Sequence, residues 1–280
     1  PDKKLKINVP EHLGECNQEQ YINMCNLLFR NIAGEISFDE LKTHGIYYLM
    51  NMVPGKTPDP DSDDLFESNL VQLADLVESF FEVLEDSDQK VIKQYYINNP
   101  IYKIRGAVKN YYGPSDEFNN VKFGEYTDAL SYFEDFRQTG EVEYLYFLFA
   151  TFYREKRMFS KKLEDFSLDI RVKYNADRVE ILAKKFKLQD IGIIYGFYLL
   201  FASFQKYLST AKIFVEGREI DLSILFSEGK ESKTGLPTLG MKSTMFSVAE
   251  SGIFGPLKEV REAPLWEILT RLYVIKRNCF

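Results

Sequence analysis

His12 and Cys16 stand four residues apart, and a nitrogen–sulfur pair at that spacing is half of a zinc site. Zinc takes four such ligands at close spacings. Here Pro10 and Gly14 bracket the pair and no second pair lies nearby, so no metal site is expected. Asp59, Asp61, Asp63 and Asp64 imitate the alternating carboxylates of a calcium loop. Counted from Asp59, however, the place of the turn glycine holds Asp64 and the place of the bidentate glutamate holds Leu70, which leaves an acidic, solvated helix entry. Gly252-Ile253-Phe254-Gly255 is neither followed by Lys-Ser/Thr nor preceded by a strand, so neither nucleotide fingerprint applies. Nucleophilic catalysis needs a Ser or Cys beside a base. The only histidines are His12 and His44, and no GxSxG elbow exists. Glu134-Asp135 reads as the wet face of a helix. This inventory predicts a protein that is not an enzyme, with no metal and no cofactor.

The chain invests in packing instead. Its 23 Phe and 18 Tyr crowd into helix-period segments such as Tyr126-Leu130-Phe133-Phe136 and Tyr144-Phe147-Leu148-Phe152. Cys16, Cys25 and Cys279 are odd in number and form no CxxC, which predicts reduced thiols. The start, Pro1-Asp2-Lys3-Lys4, leads into no apolar h-region, so no signal peptide is expected. The apolar run Ile191 to Phe204 spans 14 residues, short of the roughly 20 that cross a bilayer, and predicts a buried core helix. Gly192 and Gly196 within it would let another helix approach closely. The net charge of −7 is uneven: residues 57–89 hold 11 acids and no Lys or Arg. Residues 154–187 carry 11 bases among six acids. Those interleaved acids argue against a nucleic-acid stripe over Arg154 to Lys187, in which Tyr153, Phe159 and Phe166 would stack on bases.

These side chains must be carried by helices. Leu5 to Val9 alternates like a short edge strand. Asn17-x-x-Gln20 and Ser37-x-x-Glu40 are capping boxes, and they open two helices joined into an antiparallel hairpin, the first stopped by Gly34. Pro54 to Pro60 cannot be helical. Phe66, Leu70, Leu73, Val77, Phe80 and Leu84 then repeat at steps of four and three, an apolar seam on one long helix. Lys90 to Tyr112 is β-prone and broken by Asn98-Asn99-Pro100, a pattern open to a small hairpin or an irregular crossover. Helices follow over Phe123 to Gln138, Glu141 to Tyr153, Asn175 to Lys187 and Asp190 to Leu208. Two short strands flank Glu216-Gly217-Arg218, a polar loop covers 228–240, and two helices over about 238–251 and 264–276 end the chain. The fold class expected is mainly α: a multi-helix bundle with at most one or two short β-hairpins. It divides into an N-terminal helical region, 1–90, and a helical core with the C-terminal helices, 91–280.

Several of these landmarks carry a resemblance. Tyr111-Tyr112-Gly113-Pro114-Ser115-Asp116, Phe123-Gly124-Glu125-Tyr126, Thr139-Gly140-Glu141 and Leu148-Phe149-Ala150-Thr151-Phe152-Tyr153-Arg154 are similar to a pattern of tail-region proteins from phages and prophages of Bacteroidetes-type bacteria. So are Ala249 to Gly255 leading into Leu265-Trp266-Glu267-Ile268-Leu269, and the opening Val9-Pro10-Glu11-His12-Leu13. The likeness covers chiefly residues 111–208 and 245–275, and the 90–112 segment and the 209–240 loop match poorly. It implies a morphogenesis protein that works through protein–protein contacts, chaperone-like in tail assembly or else a structural subunit of the particle. Its partners would be other phage morphogenesis or tail proteins, or a second copy of itself, with no membrane and no nucleic acid. It would reside in the bacterial host cytoplasm or in the virion. A nucleic-acid-binding helical protein is the remaining alternative. Such contacts need apolar helix faces, and the candidates are Phe66, Leu70, Leu73 and Val77 on the acidic helix, with Trp266 and Leu269 near the C-terminus.

Overall fold

The computed structural model describes residues 9–52, 63–84, 89–158, 169–210, 212–215, 218–226 and 241–278. The expected strand at Leu5, the Pro54–Pro60 loop, the 228–240 loop and Cys279 fall outside them. The protein is mainly α-helical, and no strand among the described residues exceeds four residues. It divides into two compact units, 1–96 with 190–199 and 97–189 with 200–280.

In the first unit, α1 (Gln18–Ile32) and α2 (Phe38–Leu49) both begin with complete capping boxes, from Asn17 with Gln20 and from Ser37 with Glu40. Each box satisfies two of the amides that a helix start leaves unpaired. Gly34, at φ 73°, turns the chain between them, in a region where a Cβ would be strained. Gln20 Nε2 donates to Leu49 O at 2.7 Å, so the start of α1 meets the end of α2 and the hairpin is antiparallel. Tyr21, Met24, Leu27, Leu28, Leu41 and Ile46 form its core.

The apolar seam does not make one long helix. α3 (Asp63–Ala74) passes into a 3-10 turn (Asp75–Phe80), and β1 (Phe81–Val83) follows, paired antiparallel with β2 (Lys90–Ile92). Two effects stop the helix. Lys42 holds Asp75 at 2.8 Å and Glu78 at 3.2 Å, which anchors the tightened turn to α2. Phe81-Glu82-Val83 then finds a β-prone partner in Lys90-Val91-Ile92, and that pairing overrides the helical spacing. Asn98–Pro100 joins no hairpin: β2 pairs backward to β1, and the next strand, from Lys103, pairs forward.

The segment 190–199 belongs to this unit for a steric reason. α7 (Ile191–Thr210) presents Gly192, where an added Cβ would stand 2.2 Å from Ile22 O. Glycine alone allows that approach. Four residues on, Gly196 O accepts the Tyr21 hydroxyl at 2.7 Å. The GxxxG spacing is therefore a helix-packing device. α7 is apolar and long enough by composition to cross a bilayer, but 67% of its apolar window is buried within the protein.

In the second unit, β3 (Lys103–Arg105) and β4 (Asn110–Tyr112) form a hairpin turning over residues 106–109, and β5 (Arg154–Glu155) adds a third strand. α4 (Phe123–Thr139) ends at left-handed Gly140, the expected stop. α5 (Val142–Phe152) packs against α4 and α6 (Val179–Phe186) against α5, and α6 is entered through a 3-10 turn capped by Asn175. Phe118, Phe133, Phe152, Phe201 and Phe204 make a buried aromatic core with largely edge-to-face rings. β6 (Lys212–Val215) and β7 (Arg218–Asp221) form the expected late hairpin, so the described sheets number three. α8 (Ser223–Phe226), α9 (Met241–Glu250), α10 (Leu257–Glu262) and α11 (Leu265–Asn278) close the chain. Of these, α8 and α10 are too short to show a helical period in sequence.

Candidate functional site

α11 buries Leu265, Ile268 and Leu269 completely and carries Trp266 on the flank of that face. Trp266 is half-buried: its ring meets Phe204 edge-on at 5.9 Å, and Nε1 donates to Glu117 O at 2.9 Å. Thr270 and Val274 continue the same stripe at four-residue steps. Ile253 and Phe254 face it from the turn after α9, held between Gly252 and Gly255 at φ 70° and 78°. With Tyr207 from the second half of α7, these side chains line a groove of about 930 Å³. Ile253 is 49% exposed and Val274 37%, so apolar surface stands open to solvent there. Glu117, Asn119, Lys212, Glu267 and Arg271 ring it with charge and amide. An aromatic centre with a polar rim is the anatomy of a protein-contact surface.

The floor of this groove is conformationally strained. Glu117 and Phe118 both sit at φ 57°, which costs a non-glycine residue free energy. Phe118 offsets the strain by full burial, stacked on Phe204 at 4.2 Å with the rings 20° apart. The strained carbonyl of Glu117 is the one that Trp266 holds.

The other candidate contact residues divide. Leu70 and Leu73 are half-buried, and the Phe66 side chain lies outside the description. Val77 and Leu269 are 0% exposed, so both are core rather than contact surface. The seam that carries Leu73 and Val77 faces inward, and Val71 and Leu76 are the exposed apolar side chains of that segment. Spacing marks a face as apolar without saying whether the protein itself covers it. Tyr207, Ile253 and Phe254 were missed because they join Trp266 only through tertiary structure. The flanking glycines of Ile253-Phe254 were the one local signal.

The His12–Cys16 pair is local scaffolding: His12 Nδ1 accepts the Gly14 N–H at 3.1 Å and caps a short 3-10 turn. Among the described residues no group of three His, Cys, Asp or Glu is placed to hold a metal.

A second polar centre was hidden in the basic stretch. Arg154 and Arg171 are buried with Glu125 and Asp169 in a charge-balanced quartet. Arg154 donates to Glu125 Oε1 at 2.7 Å and Arg171 to Asp169 Oδ1 at 2.7 Å. Burial and the neighbouring Arg171 pull the Arg154 guanidinium below its usual range. For Arg171 burial pulls the same way, but Glu125 and Asp169 outweigh it and the net shift is upward. Both guanidiniums remain protonated at neutral pH. Tyr153, proposed for base stacking, is buried against Phe149 with ring centroids 3.8 Å apart. Arg154 and Arg171 therefore present no cationic face to solvent, and Phe159 and Phe166, the other two stacking candidates, lie outside the described residues.

No family model matches the chain, and neither the curated proteins nor the solved structures contain a match to it.

Proposed function

We propose that this chain is a phage or prophage morphogenesis protein that acts through protein–protein contacts, in a chaperone-like role in tail assembly. The observation that carries the contact reading is the open groove around Trp266, Tyr207, Ile253 and Phe254 with its polar rim. The assignment to tail assembly is supported by the likeness of residues 111–154 and 249–269 to phage tail-region proteins. In this reading Trp266 anchors the partner and Leu269 holds α11 in place from within. The chain itself carries out no bond making.

The test combines a substitution with fractionation. Trp266→Ala should abolish co-purification with tail components from phage-producing cells, while the purified variant keeps its helical circular dichroism. Losing about 2 kcal/mol or more of binding is typical for an interface tryptophan. Finished particles should lack the protein. Its presence there at fixed copy number would make it a structural subunit instead, and undiminished co-purification of the Trp266→Ala variant would defeat the groove reading.

A further inference from the structure

A cleft of about 1180 Å³ opens on the three-stranded sheet of the second unit, between the β3–β4 turn, the chain leaving β5 and residues 172–173. Backbone bonds tie its walls. Gly106 N–H donates to Lys109 O at 2.8 Å across the turn, where an added Cβ would stand 2.6 Å from the Tyr111 ring. Beyond β5, Lys156 bridges Arg171, with Arg157 N–H donating to Ile170 O and Val172 N–H to Glu155 O, each at 2.8 Å. The cleft is therefore shaped in advance of binding, which lowers the cost of ordering it.

Its lining is cationic in an acidic chain. Arg105, Lys109, Lys156, Arg157 and Lys173 face one carboxylate, Glu155, and Lys109 already holds that group at 2.7 Å. Lys173 pairs with Glu262 at 3.0 Å, and Arg157 Nε donates to Arg171 O at 2.6 Å. Arg105 and Lys156 are exposed, and neither meets a carboxylate among the described residues. Arg105 stands opposite Asn110 in the β3–β4 register, and the β4–β5 register, continued one step past Tyr111–Glu155, brings Lys156 to the other side of Asn110. The two cations thus share one cross-strand row, about 10 Å apart at their backbones.

Three observations select the occupant. Val108, at the hairpin tip, is 92% exposed and Met158 is 82% exposed, so apolar surface accompanies the charge. The volume exceeds the roughly 300–1,000 Å³ of small-ligand pockets. Bases need an open aromatic platform. Tyr112, the aromatic side chain of the lining among the described residues, has Lys103 Nζ over its ring at 5.9 Å and Tyr102 edge-on at 6.0 Å. A lipid surface is flat, whereas these cations line a recess.

We propose that this cleft docks an extended acidic segment of a partner protein, its carboxylates meeting Arg105 and Lys156 and its apolar side chains meeting Val108 and Met158. The cleft shares no lining residue with the Trp266 groove, so either contact can fail without the other.

Fluorescence anisotropy of the whole chain with a labelled peptide of about ten residues, Glu alternating with Leu, tests it, beside a control peptide with Gln in place of Glu. The acidic peptide should bind one site at about 0.05 M salt and weaken at about 0.5 M, and the control should not bind. Arg105→Gln and Lys156→Gln should each weaken binding about tenfold, the loss of one charge-assisted contact. Val108→Ser should weaken it about fivefold without altering the salt dependence. Lys185→Gln, on the exposed side of α6, and Trp266→Ala should leave it unchanged. Thermal unfolding of the three cleft variants should match the wild type. Failure of the acidic peptide to bind, equal binding of the control, or wild-type affinity in both Arg105→Gln and Lys156→Gln would overturn the proposal. Binding of a single-stranded oligonucleotide or of anionic lipid vesicles where the peptide fails would overturn it too, by assigning the surface to that ligand.

Discussion

Replacing Arg171 by Met would separate a buried charge network from the packing around it. The guanidinium is fully buried and donates to Asp169 at 2.7 and 3.1 Å, to Glu125 at 3.4 Å, to Phe152 O at 3.0 Å and to Asn120 O at 2.9 Å. Met fills much of the volume but supplies no donor. Two carboxylates whose side chains are 1% and 4% exposed would then share Arg154 alone, which reaches them at 2.7 and 3.5 Å. Breaking a buried ion pair by removing one partner costs about 3–5 kcal/mol, because the remaining charge is left without compensation. A cost near 4 kcal/mol is a large share of the roughly 5–15 kcal/mol that stabilises a folded protein. With a urea slope of about 3 kcal/mol per molar, the midpoint should fall by about 1.3 M. The double variant Glu125→Gln/Arg171→Met keeps Arg154 opposite Asp169 and is again charge-balanced. It should therefore be more stable than the sum of the two single effects by about 2 kcal/mol. An Arg171→Met variant within about 1 kcal/mol of the wild type, or strict additivity in the double, would refute this account.

Two further perturbations probe the first unit. Gly192→Ala drives a methyl to 2.2 Å from Ile22 O, so α1 and α7 must separate; overpacking of this kind costs about 1–3 kcal/mol. Faster amide exchange in α1, together with a lower urea midpoint, should report it, and an unchanged midpoint would show that the contact yields freely. Burial, aided by the Glu15 charge, pushes the Cys16 thiol from 9.0 up to about 12. The folded value is the raised one, so its stabilisation is complete below pH 9 and declines as pH climbs toward 12. Between pH 8 and 10 the wild type should lose about 1.4 kcal/mol more than Cys16→Ala, measured by urea unfolding at each pH. Parallel pH profiles would contradict the buried-thiol assignment.

Local signals in the sequence determined most of the helical framework. The boxes at Asn17/Gln20 and Ser37/Glu40, the stops at Gly34 and Gly140, and the entry at Asn175 act within one turn of chain, so each was legible before any contact was known. The apolar run from Ile191 announced a buried helix because nearly every face of it is hydrophobic. Other features depended on partners far away in the chain. Phe81 left the helical pattern to pair with Ile92. The period that singled out Val77 and Leu269 could say that a face is apolar, but not whether the protein already covers it. Arg154 and Arg171 looked like surface charge until Glu125, 29 and 46 residues away, came within reach of them. The groove likewise takes Tyr207, Phe254 and Trp266 from three separate segments. Sequence fixes what each turn of helix can do, because capping and periodicity are short-range. Which charges are buried and which aromatics stay open is decided by tertiary packing, because burial belongs to the whole fold and to no single segment.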